Sequence, residues 1–193
     1  HALHQHNVAV KVLTGDNQYV THSVCKEVGL AGEKIITGNE LQQLNQEELR
    51  KTVQAYNIFA KITPDQKVRI VNALTENGQT VGFLGDGIND APVLAIADVG
   101  VAMGGLGSDT AIEAADVVIM NDQPSKLIDG INISKRTQKI VWQNIILALV
   151  VKFIVLFLGA IGFANMWEAV FADVGVTLIA VINSMRIMNY KLK

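Results

Sequence analysis

Two aspartates four positions apart, Asp86 and Asp90, lie in the stretch Gly85-Asp86-Gly87-Ile88-Asn89-Asp90-Ala91-Pro92. Carboxylates held this close repel each other unless a cation sits between them. Mg²⁺ takes oxygen ligands of this kind and often bridges protein carboxylates to a phosphoryl group. The apolar run Thr80-Val81-Gly82-Phe83-Leu84 leads into the stretch. Asp86 is therefore expected at the carboxyl end of a buried strand, where open α/β sheets place their ligands. Gly85 and Gly87 are expected to permit a close backbone approach that a bulkier residue would block. The plainer alternative is a strand-to-helix turn in which Asp90 merely starts a helix.

Two other stretches hold residues suited to the same chemistry. Val8-Ala9-Val10-Lys11-Val12-Leu13 reads as a parallel strand and ends at Thr14-Gly15-Asp16-Asn17. A small polar loop there, followed by a helix, presents hydroxyl and backbone N–H groups to a phosphate, although a capped turn would look the same. Further on, Thr63-Pro64-Asp65-Gln66-Lys67 opens a helix, with Thr63 as N-cap and Pro64 at the first helical position. Lys67 then lies on the first turn, where a lysine is ordinarily a solvated surface charge.

Gly85 to Pro92 resembles the hinge motif GDGxNDxP of P-type cation-transporting ATPases, which share a core fold with the haloacid dehalogenase superfamily. Thr14-Gly15-Asp16 resembles the TGD motif of the same ATPases, and Lys67 matches their site lysine. The resemblance implies catalytic roles for Thr14, Asp16, Lys67 and Asn89, and cofactor binding at Gly15, Gly85 and Gly87. Asp86 and Asp90 would be the Mg²⁺ carboxylates, with ATP as the second cofactor. Thr14 would contact the phosphoryl group, Asp16 would shape the nucleotide end, and Lys67 would neutralise charge on the transferring group. The family's phosphorylated Asp-Lys-Thr-Gly and its Thr-Gly-Glu loop do not occur in this sequence. The family places both upstream. The chain is thus expected to be a carboxy-terminal fragment, inactive alone, whose partner is the missing amino-terminal part of the same pump.

The elements that must position these residues read as an α/β, haloacid dehalogenase-like doubly wound parallel sheet. A partial phosphorylation domain is expected over residues 1–123. Helices are expected from the polar loop to about Val28, stopping at Gly29, over Gln46–Tyr56, and from Thr63 to Gly78. Strands are expected over Asn57–Ile62, Asp98–Met103 and Asp116–Met120, with Ser108 or Asp109 capping a short helix between the last two. Gly104-Gly105-Leu106-Gly107 reads as a flexible loop. It lacks the Lys-Ser or Lys-Thr that would follow in a P-loop. His1, His4 and His6 resemble a metal tract but read better as a helix end. The net charge of −2 and the lack of a basic stripe argue against a nucleic-acid partner, and the single cysteine, Cys25, excludes an internal disulfide.

Beyond residue 123 the character changes. Residues 124–144 are expected to form a stalk helix carrying Lys135, Arg136 and Lys139, and residues 145–189 two transmembrane helices, giving a transmembrane helical hairpin in contact with membrane lipid. The first runs from Ile145 to Ala164. After a break at Asn165-Met166-Trp167-Glu168, the second runs from Val170 to Ile187. Basic residues on both flanks (Arg186, Lys191 and Lys193 on the far side) place both ends in the cytoplasm of a multi-pass plasma-membrane protein. Lys152 and Asp173 are charges inside these spans, where charge marks an ion pathway or a pair, and the two are expected to be able to reach each other.

Lys152 and Met166-Trp167-Glu168-Ala169-Val170-Phe171-Ala172-Asp173 are similar to the last two helices of zinc-, cadmium- and lead-exporting P-type ATPases. This resemblance implies that Lys152 and Asp173 belong to the transport site, with Zn²⁺, Cd²⁺ or Pb²⁺ as cargo. The first eighty residues look closer to magnesium-transporting P-type ATPases, as in Val24-Cys25-Lys26-Glu27-Val28-Gly29-Leu30 and Asn57-Ile58-Phe59-Ala60-Lys61-Ile62-Thr63-Pro64. Two alternatives follow: a magnesium pump, and a membrane-anchored regulatory domain without catalysis.

Overall fold

A computed structural model describes residues 2–27, 34–163 and 165–188. The chain divides into two units, His1–Pro124 and Ser125–Lys193.

In the first unit the strands pair in parallel as two three-stranded sheets rather than as one continuous sheet. The first has the order β1-β3-β2, with β1 at Val12–Leu13, β2 at Ile35–Thr37 and β3 at Ile58–Ala60. Leu13 and Ile36 both lie opposite Phe59. The second sheet has the order β4-β5-β6, with β4 at Gly82–Gly85, β5 at Val99–Met103 and β6 at Val117–Ile119. Among the described residues, neither β1 nor β4 has a strand on its other edge.

All three residues of β3 are buried, as a central strand of apolar side chains requires. Phe59 packs with Ile36, Leu49, Val53 and Ile70. A smaller core of Leu94, Ala102 and Ala111 supports the second sheet. Helix α1 covers Ala2–Gln5, α2 Gln18–Glu27, α3 Gly38–Gln42, α4 Gln46–Ala55 and α5 Pro64–Glu76. A 3₁₀ turn at Ile88–Asp90 leads into α6, Ala91–Ile96, and α7 covers Asp109–Ala114.

Several elements differ from expectation. The strand expected over Val8–Leu13 pairs only at Val12 and Leu13, because its partner β3 offers three residues. The strand expected over Asn57–Ile62 stops at Ala60, where Lys61 takes a left-handed φ of 53°. Strand β2 and helix α3 were not legible, being short. Helix α2 is described to Glu27; Val28 and Gly29, like His1, lie outside the described residues. Thr63 caps α5 as expected: its side chain accepts from the Gln66 N–H and the Gln66 side chain returns to the Thr63 N–H.

The second unit is a helical hairpin. Helix α8 runs unbroken over Lys126–Ala160, through the segments expected as stalk and first span, and α9 covers Met166–Met185. At 1.5 Å per residue, Ile140 to Ala160 and α9 each extend roughly 30 Å, the thickness of a bilayer's hydrocarbon core. Both helices are long and apolar enough to cross a membrane, and within α8 and α9 only Ile140 is buried. The expected break at Asn165–Glu168 is instead the start of α9. The Asn165 side chain accepts from the Trp167 N–H, and the Glu168 carboxylate accepts from the Asn165 N–H. The turn lies just before, with Gly162 at φ 79°. At the other end, Asn144 donates to Ala180 O and Ser184 Oγ, and Asn183 donates to Asn144 Oδ1 at 2.8 Å. This cross-helix network fixes the register of the pair. Ala164, Lys191 and Lys193 lie outside the described residues.

Candidate functional site

The loops after β1 and β4 meet at a cavity of about 350 Å³ whose lining includes Thr14, Gly15, Lys67, Gly85, Asp86 and Asp90. Three stretches far apart in sequence therefore converge at the carboxyl ends of two strands, as open α/β sheets require of their ligand sites.

The loop after β1 is closed on itself. Thr14 Oγ1 donates to Asp16 Oδ2 at 2.9 Å and accepts from the Asp16 N–H at 3.1 Å. It is also anchored from outside: Lys61 N–H donates to Asp16 O at 2.7 Å and Ile62 N–H to Thr14 O at 3.1 Å. Lys61 pays for that contact with its left-handed backbone, a strain of the kind that persists where surrounding structure enforces it. Asp16 itself does not line the cavity; it reaches it through Thr14.

Lys67 and Asp90 form an ion pair. Lys67 Nζ lies 2.6 Å from Asp90 Oδ1, with the side chains 15% and 10% exposed. The other carboxylate oxygen of Asp90 accepts from the Gly87 N–H at 3.3 Å. Asp90 precedes α6 and makes no capping bond to that helix. It does cap the start of the 3₁₀ turn, through the Gly87 N–H, but its other oxygen holds Lys67, so the helix-start role does not exhaust it. Lys67 is correspondingly no solvated surface charge.

Gly85 is glycine for a steric reason. A β-carbon there would meet the Asp90 and Phe83 side chains at under 3.0 Å. Gly87 differs: its φ of −91° suits any residue, and a β-carbon would sit 3.4 Å from Asp90 Oδ2. The expected close approach therefore belongs to Gly85 alone, while Gly87 contributes its N–H. Asn89 is exposed on the 3₁₀ turn and does not line the cavity.

Asp86 is the exposed carboxylate of the cavity. Its carboxylate is a hard-oxygen group that lines the same cavity as Thr14. Mg²⁺ typically takes one or two protein carboxylates and fills its remaining positions with water and phosphate oxygens. The residues present fit that ion. Asp90 is the weaker candidate ligand because its oxygens are already committed. Among the described residues no group of three or more His, Cys, Asp or Glu side chains is placed to hold a metal unaided.

In the hairpin, Lys152 and Asp173 are both exposed, and no ion pair between them occurs among the described residues. The expected reach of one to the other is not realised; Asp173 O instead accepts from Thr177 Oγ1 within its own helix.

Residues 1–98 match the family model of the haloacid dehalogenase-like hydrolases. The chain belongs to that family. It is 53% identical over 87% of its length to a cadmium, zinc and cobalt-transporting ATPase of Bacillus subtilis (strain 168), and 46% identical over 67% of its length to a P-type magnesium-transporting ATPase of Salmonella typhimurium. It spans 24% and 14% of those two proteins. The solved structure of a zinc-transporting PIB-type ATPase in its E2.Pi state matches 96% of the chain with a TM-score of 0.77 at 30% identity, the chain covering 27% of that structure. The relatives of this hydrolase-family chain are thus P-type metal-ion ATPases.

Sequence reasoning missed Lys61, Ser108 and the pairing of Lys67 with Asp90. Lys61 carries no sequence signal for a left-handed backbone. Ser108, whose N–H donates to Asp86 O at 2.9 Å, was legible only as a helix cap.

Proposed function

We propose that this chain is part of an ATP-driven P-type pump that exports a soft divalent cation (Zn²⁺, Cd²⁺ or Pb²⁺) and couples formation and hydrolysis of an aspartyl-phosphate to ion movement. The observation that carries this reading is the convergence of Thr14, the Lys67–Asp90 pair and Asp86 on one cavity, in a chain that also holds two membrane-length helices.

The nucleophilic aspartate comes from another part of the pump, since the chain has no Asp-Lys-Thr-Gly. By itself the chain does not phosphorylate. Strands β1 and β4, each with one edge unpaired among the described residues, flank the cavity, and an unpaired strand edge is a ready template for an added strand. A strand seated there would bring its carboxyl end to Asp86. The γ-phosphoryl of ATP then passes to that aspartate, ADP leaves, and water later cleaves the acyl phosphate. Bound Mg²⁺ would draw charge off the phosphoryl oxygens. Asp86 would hold that ion. Asp90 holds the Lys67 ammonium in place, and Lys67 neutralises the developing charge. Thr14 would turn its hydroxyl proton from the Asp16 carboxylate to a phosphoryl oxygen, while the Asp16 N–H keeps its oxygen in place. Gly15 and Gly85, which line the cavity, would admit the phosphoryl group to the backbone, Gly87 steadies Asp90 through its N–H, and a role for Asn89 rests on the motif alone. In the membrane, Lys152 and Asp173 belong to the transport site, and both ends of the hairpin face the cytoplasm.

Metal-stimulated ATP hydrolysis by the complete pump tests the cargo. Stimulation by Zn²⁺ or Cd²⁺ is expected, and loss of that stimulation in Asp173→Ala while phosphorylation from inorganic phosphate persists. A pump that never responds to Zn²⁺ or Cd²⁺ overturns the assignment. It would favour Mg²⁺ as cargo, the reading supported by the Salmonella typhimurium relative.

A further inference from the structure

The glycine-rich loop 104–107 has no part in the chemistry above, yet it is tied to Asp86. The Ser108 N–H at its end donates to the backbone carbonyl of Asp86 at 2.9 Å. Ser108 is held in turn as the N-cap of α7, its Oγ accepting from the Ala111 N–H at 3.2 Å. At the loop's other end the Gly105 N–H donates to Asp122 Oδ1 at 2.9 Å, and the Gly104 N–H to Ile119 O at 2.9 Å. Asp122 sits just past β6 in a left-handed backbone, φ 52°, which Asp and Asn tolerate better than other non-glycine residues. The loop's glycines are closely approached, although the Leu106 side chain is exposed. A β-carbon on Gly105 would collide with the Asp122 carboxylate, and one on Gly107 with the Met103 carbonyl. Met103 itself lines the cavity.

From these contacts we infer that Asp122 is a positioning residue for the Mg²⁺ carboxylate: through the Gly105 N–H it fixes the loop, and through the Ser108 N–H the loop fixes the backbone from which the Asp86 side chain projects. Asp86 makes no side-chain hydrogen bond among the described residues, so its backbone tether is what aims it. This inference rests on the assignment of Asp86 to Mg²⁺.

Phosphoenzyme formation from ATP by the complete pump, titrated with Mg²⁺, tests it. Asp122→Gly keeps the left-handed backbone but removes the acceptor. It should raise the half-saturating Mg²⁺ concentration about fivefold, the scale on which one hydrogen bond contributes. Asp122→Asn, which keeps both an acceptor oxygen and the backbone preference, should restore the wild-type value. Ser108→Pro removes the donor to Asp86 directly at a φ of −70° that suits proline, and should raise it as well. An unshifted Mg²⁺ dependence in Asp122→Gly overturns the inference. So does a uniform fall in phosphoenzyme at every Mg²⁺ concentration, which is the signature of a merely structural loop. If Asp86→Ala itself retains the wild-type Mg²⁺ dependence, the Mg²⁺ assignment has failed first and the inference falls with it.

Discussion

The two units treat charge in opposite ways. In the first, Lys67 and Asp90 are mostly buried and lie 2.6 Å apart, each satisfying the other. In the second, Lys152 and Asp173 stand exposed on an apolar hairpin with no ion pair between them. Charge removed from water needs a partner. The first unit supplies its partner internally, so its site is largely assembled within this chain. Among the described residues the hairpin supplies no ion-pair partner to Lys152 or Asp173, and its cross-helix polar contacts, through Asn144 and Asn183, lie toward the end away from the turn. On the function proposed above, the first unit would hold most of a phosphoryl-transfer site, whereas Lys152 and Asp173 would need groups from outside this hairpin.

The sharpest way to break this contrast is to unpair the first unit's ions. Lys67→Met leaves the Asp90 carboxylate buried without its cation and should cost about 3 kcal/mol. Faster hydrogen exchange over residues 88–96 would report it. The double variant Lys67→Met/Asp90→Asn should recover most of that stability without recovering phosphoenzyme, because the positive charge is still missing. Equal exchange in wild type and Lys67→Met would mean that the pair is not what holds the loop.

How much of this was visible beforehand depends on whether a feature is local. The Thr63 N-cap with Pro64 at the first helical position is a local signal, and it holds; the return bond from Gln66 was not read. Asn165 and Glu168 carry the same kind of signature, but their apolar neighbours made the stretch look like a break. The Lys67–Asp90 pair joins two elements 23 residues apart and has no local signature. The same holds for Lys61, which is twisted by its contact to Asp16, and for Ser108, which reaches Asp86 across the second sheet. The division into two sheets could not be read either. Apolar runs announce strands but not which neighbour each one finds. The tension between a zinc-like tail and a magnesium-like beginning eases once relatives are compared, since one cadmium, zinc and cobalt-transporting relative accounts for 87% of the chain.

A smaller effect is expected in the hairpin. Asn183→Leu removes the donor to Asn144 and should weaken association of α8 with α9 by about 1 kcal/mol. A double-mutant cycle with Asn144→Leu in a bilayer reads that coupling. A coupling near zero would show that apolar packing alone sets the register, and the contrast between the units would narrow.

The smallest effect is at Glu40. Hydrogen bonds from the Thr37 hydroxyl, then from the Thr37 N–H, hold its carboxyl below the usual value. A carboxyl lowered on folding stabilises the fold above its unfolded pKa, and that stabilisation is lost as the pH falls through the folded value. The carboxyl's contribution to helix α3 should therefore be present at neutral pH and lost as the pH falls below the ordinary glutamate range. Glu40→Gln should flatten this dependence, by a few tenths of a kcal/mol for so exposed a group. Exchange rates of the α3 amides against pH would record it.

The most direct measurement is phosphoenzyme formation from ATP in the complete pump carrying Asp86→Ala. The level should fall by on the order of 100-fold or more while nucleotide still binds, as expected when a pre-placed charge-stabilising group is removed. A wild-type phosphoenzyme level would contradict the placement of the catalytic Mg²⁺ on this aspartate, and with it the reading of the cavity as the phosphoryl-transfer site.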